Sequence, residues 1–271
     1  MEAFYETERD TSEFYISKAT NTRCLAHFHN SLELIYLKSG TFHIILDGKN
    51  YYPNTDDIVF IPSFTTHIIP DSNSISITVA IPKELLHLYS HFTQKNSPPF
   101  ILDNKAFNNQ HLKKYFDQLL EEQTSTNPLL LYGRAYSLLG KIIMHYPLKE
   151  YPQSPNKLFS IQIIEYLNEN FKEKITLDSI AEHFHYSRFY FSKILKKTIN
   201  CSLSNYLNTL RTRYIANKLE HFSPNEETNF SDFVLSCGFD SLSTFYRYFK
   251  MLYNASPHDY LINIKINPKD T

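Results

Sequence analysis

The chain has 271 residues, 42% hydrophobic and 20% charged, with a formal net charge of −1. That balance argues against a disordered polyelectrolyte, and no uncharged apolar run reaches membrane-spanning length. Three cysteines without metal or redox spacing point to reduced thiols rather than a disulfide framework, no signal peptide is read at the start, and the length allows two domains with their own cores.

From about Phe14 to Ile81 the chain is rich in Tyr, Phe, Ile and Thr, with alternating runs such as Phe42 to Leu46 and Ile58 to Ile61. Gly40, Asp47-Gly48, Pro53 and Pro62 break these runs, which predicts short strands and hairpins in an antiparallel sandwich or barrel. Within this region His27, His29, Glu33 and Gly40 form an HxHxxxE run followed by a glycine, and His67 follows Pro62. The pattern resembles the two cupin motifs, with Asp56, Phe64 and Asp71 where those motifs prefer Gly, Gly and Asn. The resemblance implies a cupin-like barrel in which His27, His29, Glu33 and His67 face the interior. Imidazole and carboxylate suit Fe, Mn, Ni or Zn, but a barrel that binds a small effector carries similar residues without needing metal. These four residues are therefore candidates for effector binding, with the metal question open and no cofactor expected.

Three amphipathic stretches follow, Lys83 to Phe92, Phe107 to Glu122 and Leu129 to Tyr146, the last two with apolar residues at helical spacing. Helices of this kind can pack on the barrel and make a homodimer, or be buried within one subunit. Pro147, Pro152 and Pro155 mark a linker at 147–157 between an effector-binding and dimerisation domain at 1–146 and a second domain at 158–265.

The last third carries one pattern twice. From Ser187 the spacing brings Phe191, Leu195, Lys196, Asn200, Ser202 and Tyr206; from Ser241 the same spacing brings Phe245, Phe249, Lys250, Asn254, Ser256 and Tyr260. Each leading Ser can cap a helix, the two apolar residues share one helical face, and Asn tolerates the left-handed conformation that follows many helix ends. With the apolar stretches Leu177 to Phe184 and Phe230 to Cys237 before them, these are two helix-turn-helix units, at about 177–198 and 230–251. Ser202 to His221 reads as one connecting helix. The expected fold is thus multidomain, an all-β cupin-like barrel with amphipathic helices followed by an all-α domain.

The second unit resembles the signature of the AraC/XylS family of bacterial transcription regulators: Gly238, Phe239, Ser241, Phe245, Phe249, Lys250, Ser256, Pro257 and Tyr260 fall where that pattern places them. It departs at Val234, Asn254 and Leu261; in the first unit Asn200 and His185 are the departures. With the apolar positions buried, Arg188, Phe189, Ser192, Lys193 and Lys196 face outward in the first unit, and Leu242, Ser243, Tyr246, Arg247 and Lys250 in the second. The resemblance places base-edge contacts at Phe189, Ser192, Lys193, Ser243, Tyr246 and Arg247. Lys196, Lys250 and the helix amides near Ser187 and Ser241 suit phosphates. Charge adds little: residues 155–271 hold 14 Lys+Arg against 12 Asp+Glu, leaving 13 against 16 for 1–154, or +2 and −3 for the −1 of the whole. Arg211 and Arg213 on the connecting helix are candidates for phosphate support or for solvation, with solvation favoured for Arg213.

The resemblance implies a cytoplasmic, non-enzymatic regulator, an activator or a repressor. Its expected partners are double-stranded DNA, a small-molecule effector such as a sugar, and RNA polymerase where it activates; no membrane is involved. Two other readings are a cupin metalloenzyme with an appended DNA-binding domain and an interaction protein whose helix-turn-helix units take a protein partner.

Overall fold

The computed structural model describes residues 4–6, 13–94, 96–125, 127–150, 155–199, 201–220 and 230–266, in two compact units divided between residues 153 and 154. The first unit contains β1 (Phe4–Tyr5), β2 (Tyr15–Thr20), β3 (Cys24–Phe28), β4 (Leu32–Leu46), β5 (Lys49–Tyr51), β6 (Ile58–Ile61) and β7 (His67–Ile81). A 3-10 turn (Lys83–Leu86) leads into α1 (His87–Thr93), followed by β8 (Asn96–Ser97), β9 (Ile101–Leu102), α2 (Asn104–Phe107), α3 (Gln110–Glu122), α4 (Pro128–His145) and β10 (Lys149–Glu150).

Eight strands form one sheet along the path β1-β3-β7-β4-β6-β9, with β2 beside β7 and β5 beside β4. Its pairs are antiparallel except β1 with β3. The register Glu33↔Ile61, Glu33↔Ala80, Ile35↔Val59 and Ile35↔Thr78 aligns side chains across three strands on one face. The other face carries Leu34, Tyr36, Phe60, Ile77 and Val79, covered by Leu112, Phe116 and Leu119 of α3 and Leu138, Leu139 and Ile142 of α4. Because Leu32 to Leu37 are buried on both faces, β4 reads as a continuous apolar run, and the carboxylate of Glu33 stands out within it. Gly40, expected to break the strands, lies inside the continuous β4 just past a register shift between Leu37 and Ser39: its φ is 91°, and a Cβ there would lie 2.0 Å from the Asn73 carbonyl oxygen of β7.

Helix boundaries differ from the sequence expectation: the stretch from Lys83 opens as a 3-10 turn, and α1 runs only over His87–Thr93. The expected helix from Phe107 is split, because Asn108 turns left-handed at φ 52° and α3 restarts at Gln110. Asn127 caps α4 by accepting from Leu129 N–H at 3.1 Å, with Pro128 in the first turn, where a missing N–H costs nothing.

The second unit is helical: α5 (Pro155–Asn170), α6 (Leu177–His183), α7 (Arg188–Ile199), α8 (Leu203–Glu220), α9 (Phe230–Ser236), α10 (Leu242–Tyr253) and α11 (Pro257–Ile266). α5 was not foreseen and starts inside the stretch read as linker, because proline opens a helix as readily as it interrupts one. Its Ile163, Ile164 and Leu167 are fully buried, and Phe159 meets Phe184 and Phe191 edge-on. Of the expected helix ends, Asn200 and His221 lie outside the described residues.

Candidate nucleic-acid interface and histidine cluster

The two helix-turn-helix units form by the local chemistry their sequences carry. Thr176 and Ser179 make a reciprocal capping box at the start of α6, with bonds of 3.1 and 3.0 Å. Ser187 accepts from Tyr190 N–H at 3.4 Å, Ser241 from Thr244 N–H at 3.3 Å, Ser202 from Asn205 N–H at 3.1 Å and Ser256 from Asp259 N–H at 3.1 Å. Asn254 ends α10 at φ 51° and donates its N–H to the Lys250 carbonyl. The turns between the helices need left-handed residues as well, His185 at φ 58° in the first unit and Gly238 at φ 94° in the second. Val234, one of the departures from the family pattern, is fully buried against the α10 core of Phe245 and Phe249.

Burial separates the two sides of each recognition helix. On α7, Phe191 and Leu195 are buried, while Arg188, Phe189, Lys193 and Lys196 are exposed and Ser192 is half-buried. On α10, Phe245 and Phe249 are buried, Ser243, Tyr246, Arg247 and Lys250 are exposed, and the capping Ser241 is half-buried. Phe189 is 73% exposed with the Lys193 ammonium 4.4 Å from its ring centroid, so the two form one cationic aromatic knob. Arg188 binds both carboxylate oxygens of Asp178, at 3.2 and 3.0 Å; the pair is solvent-exposed, so it contributes little and can yield to a phosphate. The Arg247 guanidinium lies 5.1 Å from the Tyr248 ring. Tyr186 and Tyr190, both exposed and stacked at 5.3 Å, extend this surface and were missed, although their i, i+4 spacing was visible.

Arg211 and Arg213 differ from expectation. Arg211 is 7% exposed; its Nε donates to the Phe171 carbonyl at 2.7 Å and Nη2 to the Glu173 carbonyl at 2.9 Å. It is a strut between α8 and the turn after α5, withdrawn from any phosphate. Arg213 is half-buried, with Nη1 out of solvent and without a hydrogen-bond partner among the described residues. Helix α8 also meets its neighbours through Tyr206 Oη to Asn168 at 3.1 Å and Tyr248 Oη to Asn205 at 2.6 Å.

In the first unit the four expected residues converge. His27 and His67 face each other across the β3–β7 pairing with ring centroids 4.0 Å apart; His29 is 5.0 Å from His67. All three are buried and their ligand atoms lie within 4.8 Å of one another. Glu33 Oε2 is 2.8 Å from His29 Nε2 and 3.6 Å from His67 Nε2. Burial pushes His67 down to about 3, against the opposing pull of Glu33. Three imidazoles with a carboxylate beside them are a donor set of the kind that suits a divalent transition ion. Two positions where the cupin pattern prefers glycine prove left-handed here, Asp56 at φ 68° and Phe64 at φ 62°, and Phe64 N–H donates to the His29 carbonyl at 2.7 Å. Asp71 is exposed and pairs with Arg23 at 2.8 Å, away from the cluster. On the same face as Glu33, the hydroxyls of buried Ser74 and Ser76 have no hydrogen-bond partner among the described residues.

Residues 180–262 match the family described as a helix-turn-helix domain. The chain is 21% identical to the Msm operon regulatory protein of Streptococcus mutans, covering 83% of this chain and 84% of the relative. It is 22% identical to the HTH-type transcriptional activator RhaS of Escherichia coli (86% and 86%) and 19% identical to the melibiose operon regulatory protein of Escherichia coli (96% and 90%). Among solved structures, ToxT from Vibrio cholerae aligns over 92% of this chain and 97% of its own at 14% identity and a TM-score of 0.42. No helix among the described residues is long and apolar enough to cross a membrane.

Proposed function

We propose that this chain, which belongs to the AraC/XylS family of bacterial transcription regulators, binds double-stranded DNA through α7 and α10 and is controlled by a small molecule at the histidine face of its first unit. The observation that carries this is the pair of helix-turn-helix units whose outward faces are exposed and both cationic and aromatic, while their inward faces are core. Phe189, Ser192, Lys193, Ser243, Tyr246 and Arg247 read base edges; Arg188, Lys196, Lys250 and the amides at the Ser187 and Ser241 caps hold phosphates.

The effector is a sugar or related metabolite. A relative named for a melibiose operon and the unpartnered Ser74 and Ser76 hydroxyls both support a polyhydroxylated ligand. The chain works in the cytoplasm as a homodimer through α3 and α4, recruits RNA polymerase as an activator, and carries out no catalysis. Binding-site selection tests the DNA reading. Arg247→Ala should lose about 1–3 kcal/mol of specific binding and relax one base pair, whereas Lys250→Ala should weaken all sequences alike. The histidine cluster keeps one second reading in play, a metalloenzyme with an appended DNA-binding domain; turnover of a small substrate by the purified chain would select it.

A further inference from the structure

The duplicated frame allows the two recognition helices to be compared position by position, and they differ in what supports the reading cation. Counted from the capping serines, Lys193 of α7 and Arg247 of α10 occupy the same place. In the first unit the ring of Phe189 stands one turn before the cation, with the Lys193 ammonium 4.4 Å from its centroid. The matching residue of the second unit is Ser243, whose hydroxyl lies 3.1 Å from that of the capping Ser241 and which has no ring to offer. There the ring comes from the next position along: the Arg247 guanidinium carbon is 5.1 Å from the centroid of Tyr248, whose counterpart in α7 is the aliphatic Ile194. Each helix thus rests its cation on an aromatic face, through a different residue.

The two supports differ in rigidity. Phe189 is largely exposed, so its ring reaches solvent together with the ammonium. Tyr248 is 6% exposed, and its hydroxyl donates to Asn205 Oδ1 of α8 at 2.6 Å. Asn205 stands in the first turn of α8, where its own N–H donates to the capping Ser202 at 3.1 Å. A ring packed into the core and bonded at its tip keeps one orientation, and a guanidinium lying against it gives up rotamers before DNA arrives. A ring contact also leaves the N–H donors of the guanidinium unoccupied, whereas a salt bridge of the Arg188–Asp178 kind engages them. Guanine offers two acceptors at the spacing of that fork. On the reading of Arg247 as a base contact, we propose that Tyr248, fixed in turn by Asn205, is a positioning residue that presents the Arg247 fork to a guanine in the major groove. Neither Tyr248 nor Asn205 touches DNA in this arrangement; both act through Arg247.

The test takes the full chain through binding-site selection, then measures affinity for the selected site and for each single base-pair change in it. Arg247→Ala identifies the pair that Arg247 reads, and that pair should carry guanine; another base there overturns the fork. At that pair Tyr248→Leu should lower discrimination about two- to fivefold, the range of a solvent-facing cation–ring contact, and leave the other pairs unchanged. Asn205→Ala should act at the same pair at the low end of that range, about twofold. With Arg247→Ala already in place, Tyr248→Leu should have no further effect at that pair. A merely structural role would weaken all sequences alike, so uniform loss in Tyr248→Leu, or discrimination equal to wild type, overturns the positioning role. Should Tyr248→Leu fail to fold, Asn205→Ala decides, and wild-type discrimination in that variant overturns the role in the same way. If Arg247→Ala relaxes no base pair, the base-contact reading itself fails, a result separable from a silent Tyr248 beside an Arg247 that reads.

Discussion

Replacing Gly238 by alanine should damage the second helix-turn-helix unit far more than its size suggests. Gly238 sits at φ 94°, where an L side chain costs about 1–2 kcal/mol. The added Cβ would lie 2.5 Å from the Lys172 carbonyl oxygen and 2.7 Å from Arg211 Nε. Neither neighbour can yield cheaply: the first is backbone, and the second is a buried guanidinium already bonded to the Phe171 and Glu173 carbonyls. Forcing an extra carbon into such packing costs a further ~1–3 kcal/mol. The expected loss is about 2–5 kcal/mol, on the order of 10 °C in the melting of the DNA-binding unit. His185→Gly is the control, because the first turn uses an ordinary left-handed φ of 58° that histidine already tolerates; relief of strain and added chain entropy should nearly cancel. Thermal melts of the full chain followed by circular dichroism would measure both. Gly238→Ala melting within 2 °C of wild type would refute the argument that this turn is closed to a side chain.

Asn254→Gly should leave stability unchanged or slightly raised, whereas Asn254→Val should cost about 1–2 kcal/mol, since α10 ends at this residue in the left-handed region. Equal melting of the two variants would contradict that end. Glu33→Gln should alter the response to whatever the histidine face binds and leave the selected DNA sequence unchanged, because the base-reading positions lie on α7 and α10. A changed consensus in binding-site selection would show that the two functions are not separable in this way.

The sequence alone determined the features that depend on neighbours along the chain. Capping serines, the apolar i, i+4 positions and the asparagine at φ 51° all follow from helix geometry and from which residues tolerate a left-handed backbone, and the duplicated spacing made them legible twice. The HxHxxxE run was legible for a similar reason, since strand alternation fixes where side chains point, whereas Gly40, read as a break between strands, lies inside one continuous strand. Packing between distant segments decided the rest. The proline at 155 carried no sign of whether it ended a linker or opened α5, because proline suits both until Ile163, Ile164 and Leu167 have a core to fill. Arg211 looked like a surface cation until two carbonyls, 38 and 40 residues away, proved to accept from it. Tyr248, whose hydroxyl reaches Asn205 43 residues back along the chain, had no local pattern to betray that partner. Long-range pairing is chosen by which apolar and polar groups can be satisfied together in three dimensions, and that choice is made by the assembled sheet and helices rather than by any stretch of sequence.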